Sequence, residues 1–132
     1  MGEIEFKRLE LSDAENIIIE YKKDSLEKFI ENKENYLFLG IKENKAIAFL
    51  YGYGMLRPDG KSMFYIHSVD VITEYQSKGI GTRLMEFTLD YIKKENKYYK
   101  FFVLTEKDNI KACKLYQKYA NRDEQVLFSN KI

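Results

Sequence analysis

Between Met63 and Thr105 the hydrophobic pattern changes period twice, and that double switch constrains the fold more than any other feature of the chain. "MFYIHSVDVIT" (Met63 to Thr73) is β-branched and aromatic, as a strand requires. After "EYQSKGIG", one apolar row runs Ile80, Leu84, Phe87 and Tyr91, and its neighbour runs Met85, Leu89 and Ile92. Thr82, Arg83, Glu86, Asp90 and Lys93 fill the other side, so an amphipathic helix is predicted to end near Asn96. "KFFVLT" (Lys100 to Thr105) then reads as a buried strand. Two strands joined through a helix in one sheet form a parallel pair with a right-handed crossover.

The preceding sequence supplies antiparallel partners. "IEFKRL" (Ile4 to Leu9) alternates like a half-buried strand. Ser12 stands three residues before Glu15, a capping-box spacing, and with Ile17, Ile18 and Tyr21 predicts a helix; Leu26, Phe29 and Ile30 predict a short second one. "YLFLGI" (Tyr36 to Ile41) and "AIAFLYGYGML" (Ala46 to Leu56), separated by "KENK", predict a hairpin, and "RPDG" a β-turn. Asp108 or Asn109 is placed to cap a helix carrying Ala112, Leu115, Tyr116 and Tyr119, with Asn121 as its left-handed terminal residue, and "EQVLFS" predicts a last strand.

The chain is the size of one domain and shows no internal repeat or linker, so residues 1–132 are expected to form a single unit. Lys and Arg number 22 against 21 Asp and Glu, which leaves no basic footprint for a nucleic acid. Cys113, the sole cysteine, has no partner for a disulfide within the chain or a metal cluster. No apolar run approaches the roughly 20 residues of a membrane span, and "MGEIEFKRLE" is charged rather than signal-like. Met1-Gly2 opens like a myristoylation pattern, but Phe6 stands where that pattern has Ser or Thr. A soluble cytoplasmic protein is expected, without metal, nucleic-acid or membrane partner; a homodimer stays open.

Gly79 and Gly81 interrupt the chain where the central helix begins. The first N–H groups of a helix lack partners within it, and the helix dipole favours an anion there. Without Cβ atoms, the glycines let the backbone bend and let a pyrophosphate approach the amides. They would equally serve tight strand-to-helix packing, so spacing alone leaves two readings open.

The surrounding residues add a resemblance. Gln76-Ser77-Lys78-Gly79-Ile80-Gly81 is similar to the Gln/Arg-x-x-Gly-x-Gly/Ala signature of the GNAT superfamily of N-acetyltransferases, between the strand and helix where that family carries it. "NIKACKLYQK" (Asn109 to Lys118) resembles the family's second motif, Asn-x-x-Ala-x-x-Leu-Tyr-x-Lys. The similarity covers nearly the whole chain and is greatest to the short aminoglycoside 3-N-acetyltransferase type. It implies an α+β fold of α/β/α layers, a mixed, mostly antiparallel sheet of about six to seven strands, about four helices and a splayed parallel strand pair. It also implies an acetyl-CoA site: the amides of Ser77, Lys78, Gly79, Ile80, Gly81 and Thr82 on the pyrophosphate, Gln76 in the same loop, and the pantetheine between strands containing Val69 to Val71 and Phe102 to Leu104. Asn109 would contact the cofactor, and the amide near Val71 the thioester carbonyl. Tyr116 would offer its phenol to the departing sulfur.

Acetyl transfer to an amine needs a neutral nucleophile, a donor to the developing oxyanion and a proton for the thiolate. Tyr116 reads either as that acid or as a core tyrosine. His67, the only histidine, has an unperturbed pKa near 6.5 and is a candidate base or relay, with Asp70, Glu74, Glu106 and a water chain as competitors. Strict alternation places Tyr65, His67, Val69 and Val71 on one face and Ile66, Ser68 and Asp70 on the other. The aminoglycoside type typically has Asp where Ser68 stands and Gly where Ala120 stands, and keeps an acid near Glu106. A primary amine of a small molecule is the expected acceptor, with an amino sugar, a polyamine or a peptide amine left open. The alternative class is a non-catalytic acetyl-CoA sensor, which would need Gly79, Gly81 and Asn109 but neither Tyr116 nor a base.

Overall fold

A computed structural model describes residues 3–132; the Met1-Gly2 start lies outside the described residues. Five strands form one sheet in the order β1 (Glu5–Arg8), β2 (Asn35–Lys42), β3 (Lys45–Met55), β4 (Met63–Val71) and β5 (Lys100–Val103). Neighbours are antiparallel except β4 and β5, which run parallel through the crossover helix α2 (Ile80–Glu95). The helix α1 (Lys23–Glu31) lies before β2, and α3 (Ile110–Gln117) follows β5.

Strand β2 shows why three layers form. Tyr36 and Phe38 point into a core with Leu50, Phe64 and Ile66 and with Ile80, Leu84, Met85 and Ile92 of α2. Leu37, Leu39 and Ile41 point the other way, into a second core with Leu9 and with Leu26 of α1. Both faces are apolar, so both must be covered, and the α/β/α arrangement follows. The predicted turns form as the residues dictate. Glu43 and Asn44 both take positive φ, 50° and 64°, as a two-residue type I′ hairpin needs, and Gly60 takes φ 80° in the Arg57–Gly60 turn.

The structure corrects the sequence reading in three places, leaving five strands and three α-helices rather than six to seven and four. The helix expected after Ser12 is one three-residue turn, Leu11–Asp13. Its reciprocal bond joins the Glu10 N–H to the Asp13 carboxylate at 3.0 Å, not Ser12 to Glu15, and Lys7 holds the other Asp13 oxygen at 2.8 Å. The isoleucines that follow alternate: Ile17 and Ile19 pack into the second core while Ile18 is 64% exposed and bridges Lys45. Three consecutive β-branched side chains favour this extended path.

The last strand expected at "EQVLFS" does not form. Val126, Leu127 and Phe128 are 77, 76 and 89% exposed, and strand propensity without a ladder and a face to bury does not make a strand. Asn121 is not left-handed, and α3 ends with the Tyr119 and Ala120 amides both donating to the Tyr116 carbonyl. Among the described residues no helix is long and apolar enough to cross a membrane, and no group of three or more His, Cys, Asp or Glu side chains is placed to hold a metal.

Candidate active site

The loop between β4 and α2 has the backbone that an anion cradle needs. Ser77 and Gly79 both take positive φ, 62° and 76°, and Gly79 is the N-cap of α2 without any side-chain cap. Among the described residues, no acceptor meets the N–H groups from Ser77 to Thr82; the first amide bonded back into the helix is that of Arg83, to the Gly79 carbonyl at 3.1 Å. The Gln76 amide donates to the Val71 carbonyl at 2.8 Å and so ties the loop to the end of β4. That bond makes Gln76 a positioning residue for the loop.

The two glycines are not there to let α2 pack closely. A Cβ at Gly79 would meet nothing within 4 Å, and one at Gly81 would lie at ordinary contact distance, 3.8 and 3.9 Å, from Leu115 and Val71. Gly79 is required by its left-handed backbone, whereas at Gly81 the fold leaves room that a Cβ would fill. Open amides, a positive helix end and an unfilled approach fit a pyrophosphate. Lys118 reaches the same helix end, its ammonium 3.0 Å from Thr82 Oγ1.

Helix α3 brings the second motif against this loop. Of the two cap candidates Asn109 is the one used: its Oδ1 accepts from the Ala112 N–H at 3.1 Å, leaving its amide nitrogen free for another partner. Tyr119 donates to the Thr82 carbonyl at 3.3 Å, fixing α3 on α2. One turn earlier, Tyr116 packs against the α2 core beside Leu115, yet its hydroxyl bonds no described residue. Burial raises its phenol above the ordinary tyrosine pKa, with Cys113 adding to the effect, so the proton is retained near neutrality.

His67 lies elsewhere, for a reason that strict alternation misses. Tyr51 pairs with Ser68 but Gly52 pairs with Ile66, so His67 is an extra residue in β4, a β-bulge. Phe64 and Ile66 before it, and Val69 and Val71 after it, all pack on the α2 core. His67 and Ser68 therefore fall in succession on the opposite face, with Tyr65 and Asp70. The expected sharing of a face by His67, Val69 and Val71 is corrected accordingly. Gly52 makes the bulge possible, because a Cβ there would overlap the Tyr65 carbonyl oxygen. The glycine inside "LYGYG" was the available signal.

The bulge also marks where the parallel pair parts. Ladder pairing of β4 with β5 runs from Met63–Lys100 to Ile66–Val103, and β4 then continues to Val71 without β5. Beyond this fork Val69 and Val71 line the α2 side, while His67 is exposed on the α1 side. Its Nδ1 lies 3.0 Å from the Tyr53 hydroxyl, and its ring sits against Tyr51 and Tyr65 at 5.1 and 5.3 Å. Tyr116 and His67 thus occupy opposite faces of the forked sheet. Among the weaker candidates, Asp70 is exposed opposite Phe49, Glu74 sits in the Thr73–Tyr75 turn, and the Glu106 carbonyl accepts from Asn109.

The sequence that builds this forked sheet, with its glycine loop opening a helix at the mouth, matches a family model. Residues 5–120 fit the model described as the acetyltransferase (GNAT) family. The chain belongs to that family. It is 28% identical over 115 residues to streptothricin acetyltransferase A of Bacillus subtilis (strain 168), covering 84% of this chain and 64% of that protein, so it spans about two thirds of the length of this curated relative. An aminoglycoside acetyltransferase from an uncultured soil metagenomic sample, solved with trehalose, superposes with a TM-score of 0.82 at 22% identity, over 98% of this chain and 95% of that one. An aminoglycoside N-acetyltransferase solved in complex with CoA superposes with a TM-score of 0.76 at 12% identity, over 99% and 96%. At such identities the two structures establish a shared fold.

Proposed function

We propose that this GNAT-family chain transfers an acetyl group from acetyl-CoA to a primary amine of a small molecule. When bound, acetyl-CoA supplies an acetyl group already activated as a thioester. The observation that carries the reading is the set of open amides from Ser77 to Thr82 beside Gly81, whose missing Cβ the fold itself does not require. Those amides and the α2 dipole would hold the pyrophosphate, with Gln76 and Lys78 in the same loop, and Val69, Val71 and Asn109 would border the path between the forked strands. The relatives named above are a streptothricin acetyltransferase and aminoglycoside acetyltransferases, which supports an amine acceptor as a class.

The chain's own residues then divide the proton work. His67, on the exposed face, takes a proton from the acceptor nitrogen and passes it to solvent, while the Tyr53 hydroxyl orients its ring. The N–C bond forms as the C–S bond breaks, and the Tyr116 phenol protonates the departing thiolate. The β4 backbone amide near Val71 donates to the carbonyl oxygen as negative charge develops on it. Base and acid on opposite sides of one fork let the amine enter from one face while the thiol is protonated from the other.

The test is a thermal-shift titration with CoA followed by thiol release from acetyl-CoA in the presence of primary amines. A ligand bound only to the native state at a hundred times its dissociation constant stabilises by about 2.7 kcal/mol. Absence of any CoA-dependent shift would remove the cradle reading. A shift without turnover on any amine would favour a sensor.

A further inference from the structure

On the α1 side of the sheet a cavity of about 320 Å³ opens between α1, β2 and β3. Tyr21, Phe29, Tyr51 and Tyr53 form its aromatic walls and Leu26 and Leu37 its floor; the one charged side chain lining it is the Lys22 ammonium, and no carboxylate does. The rings stand edge to face, Phe29 on Tyr51 at 5.8 Å and 86° and on Tyr53 at 5.9 Å and 63°, so the wall is a packed aromatic cluster. The same two tyrosines hold His67, through the 5.1 Å ring contact to Tyr51 and the 3.0 Å bond to Tyr53. The cavity therefore adjoins the bulge where β4 and β5 part.

This volume lies within the range of small-molecule pockets, at the small end of about 300 to 1,000 Å³. An amino sugar or polyamine would carry several ammonium groups against a lining that holds Lys22 and no carboxylate, with the single exposed carboxylate of Asp70 acting on Tyr21 from outside it, and each further unpaired charge resists leaving water. An amine with one nitrogen and an apolar body meets neither objection. Its body replaces water on the aromatic walls, while its nitrogen stays in solvent on the side of Tyr51 and Tyr53, the two lining residues that contact His67.

We infer that the acceptor is an arylalkyl monoamine whose ring fills the cavity between α1 and β3, rather than a polycationic amino sugar; this rests on the acetyltransferase reading of the same site. On that amine the N–C bond forms and the thioester C–S bond breaks, the nitrogen's proton leaves by His67 and the thiolate takes the Tyr116 proton.

Two measurements on the intact chain test the inference, with 2-phenylethylamine and kanamycin as probes. Binding of each amine without acetyl-CoA is read by NMR, and thiol release with acetyl-CoA gives kcat/KM for each. 2-Phenylethylamine should bind at least tenfold more tightly than kanamycin and be acetylated with at least tenfold higher kcat/KM. Phe29→Ala should weaken 2-phenylethylamine binding about tenfold. Because Phe29 also packs in the second core, Lys22→Glu at the exposed lip serves as the second variant. It should shift the kcat/KM ratio severalfold toward kanamycin with the melting temperature nearly constant. Kanamycin preferred by the unaltered chain, or 2-phenylethylamine binding indifferent to Phe29→Ala in a folded variant, would overturn the inference. If CoA binds but neither amine is acetylated, the inferred acceptor is overturned, whereas the transfer reading falls only if no primary amine releases thiol.

Discussion

At its C-terminal end α2 runs into a network of side chains that bond one another, whereas at its N-terminal end six successive amides, Ser77 to Thr82, have no acceptor among the described residues. The closed end is built around Tyr98, whose hydroxyl donates to Glu34 at 2.6 Å and lies 3.0 Å from that of Tyr36. Tyr36 in turn donates to Glu95 at 3.0 Å, Lys97 holds Glu34 at 3.1 Å, and the Arg8 guanidinium covers the Tyr36 ring at 3.8 Å. Gly54 belongs to this end by exclusion, since a Cβ there would overlap the Tyr98 hydroxyl. One end consumes its polar groups internally and stabilises the fold. The other keeps them available and leaves space beside them. A glycine of β3 required by its neighbours and a glycine of α2 not required by them distinguish structure from function more sharply than glycine spacing does.

Substitutions at the two ends should therefore separate activity from stability. The largest effect expected is on turnover from Tyr116→Phe, a fall of about 100- to 10,000-fold if the phenol protonates the thiolate, with CoA affinity and melting temperature nearly constant. Unchanged turnover on a proven acceptor would make Tyr116 a packing residue. Gly81→Val comes next: its Cβ has room in the protein but the side chain obstructs the amides, so the CoA dissociation constant should rise about 10- to 100-fold, about 1.4 to 2.7 kcal/mol. Equal affinity would erase the distinction between the open and closed ends.

At the closed end the signs reverse. Tyr98→Phe removes a hydroxyl bonded to a carboxylate and should cost about 1.5 to 3 kcal/mol of stability by thermal or urea unfolding, without changing CoA affinity. The contribution of Glu34 should depend on pH. The Tyr98 hydroxyl, and then Lys97 and Arg8, hold its carboxyl below the usual carboxylate range against the opposing effect of burial. A depressed folded-state pKa gives stability that is present above the unfolded value of about 4.3 and is lost as pH falls through the folded one. The stability difference between the unaltered chain and Glu34→Gln should thus be full at pH 7 and shrink below about pH 4.3; a difference that grows in acid would reverse the assignment. The smallest effect lies between the ends, at Thr88, whose buried Oγ1 has no hydrogen-bond partner among the described residues. Thr88→Val keeps the shape and removes the unpaired oxygen, so the melting temperature should hold or rise, by at most about 1 kcal/mol in stability.

Much of this was readable from residues alone where the information is local. The period change at Ile80 located α2, "KENK" and "RPDG" located their turns, and Gln76 to Gly81 with Asn109 to Lys118 located the loop and helix of the candidate site. Those signals depend on one segment's own spacing and on backbone preferences at single positions. Ile17, Ile18 and Tyr21 misled because a short apolar run fits either period until something covers it, and "EQVLFS" because a strand exists only with a partner.

The placement of His67 was beyond any signal in its own segment. Which face it occupies depends on one residue of slippage between β3 and β4, which a glycine at position 52 permits by letting the Tyr65 carbonyl approach. A side chain's face in a sheet is set by pairing with another segment, and one extra residue inverts every position after it. Sequence therefore determined that a histidine, a tyrosine and a glycine loop would be present on one strand, helix and turn. Only the tertiary structure decided that His67 would sit among Tyr51, Tyr53 and Tyr65 across the fork from Tyr116, because register is a property of two strands together.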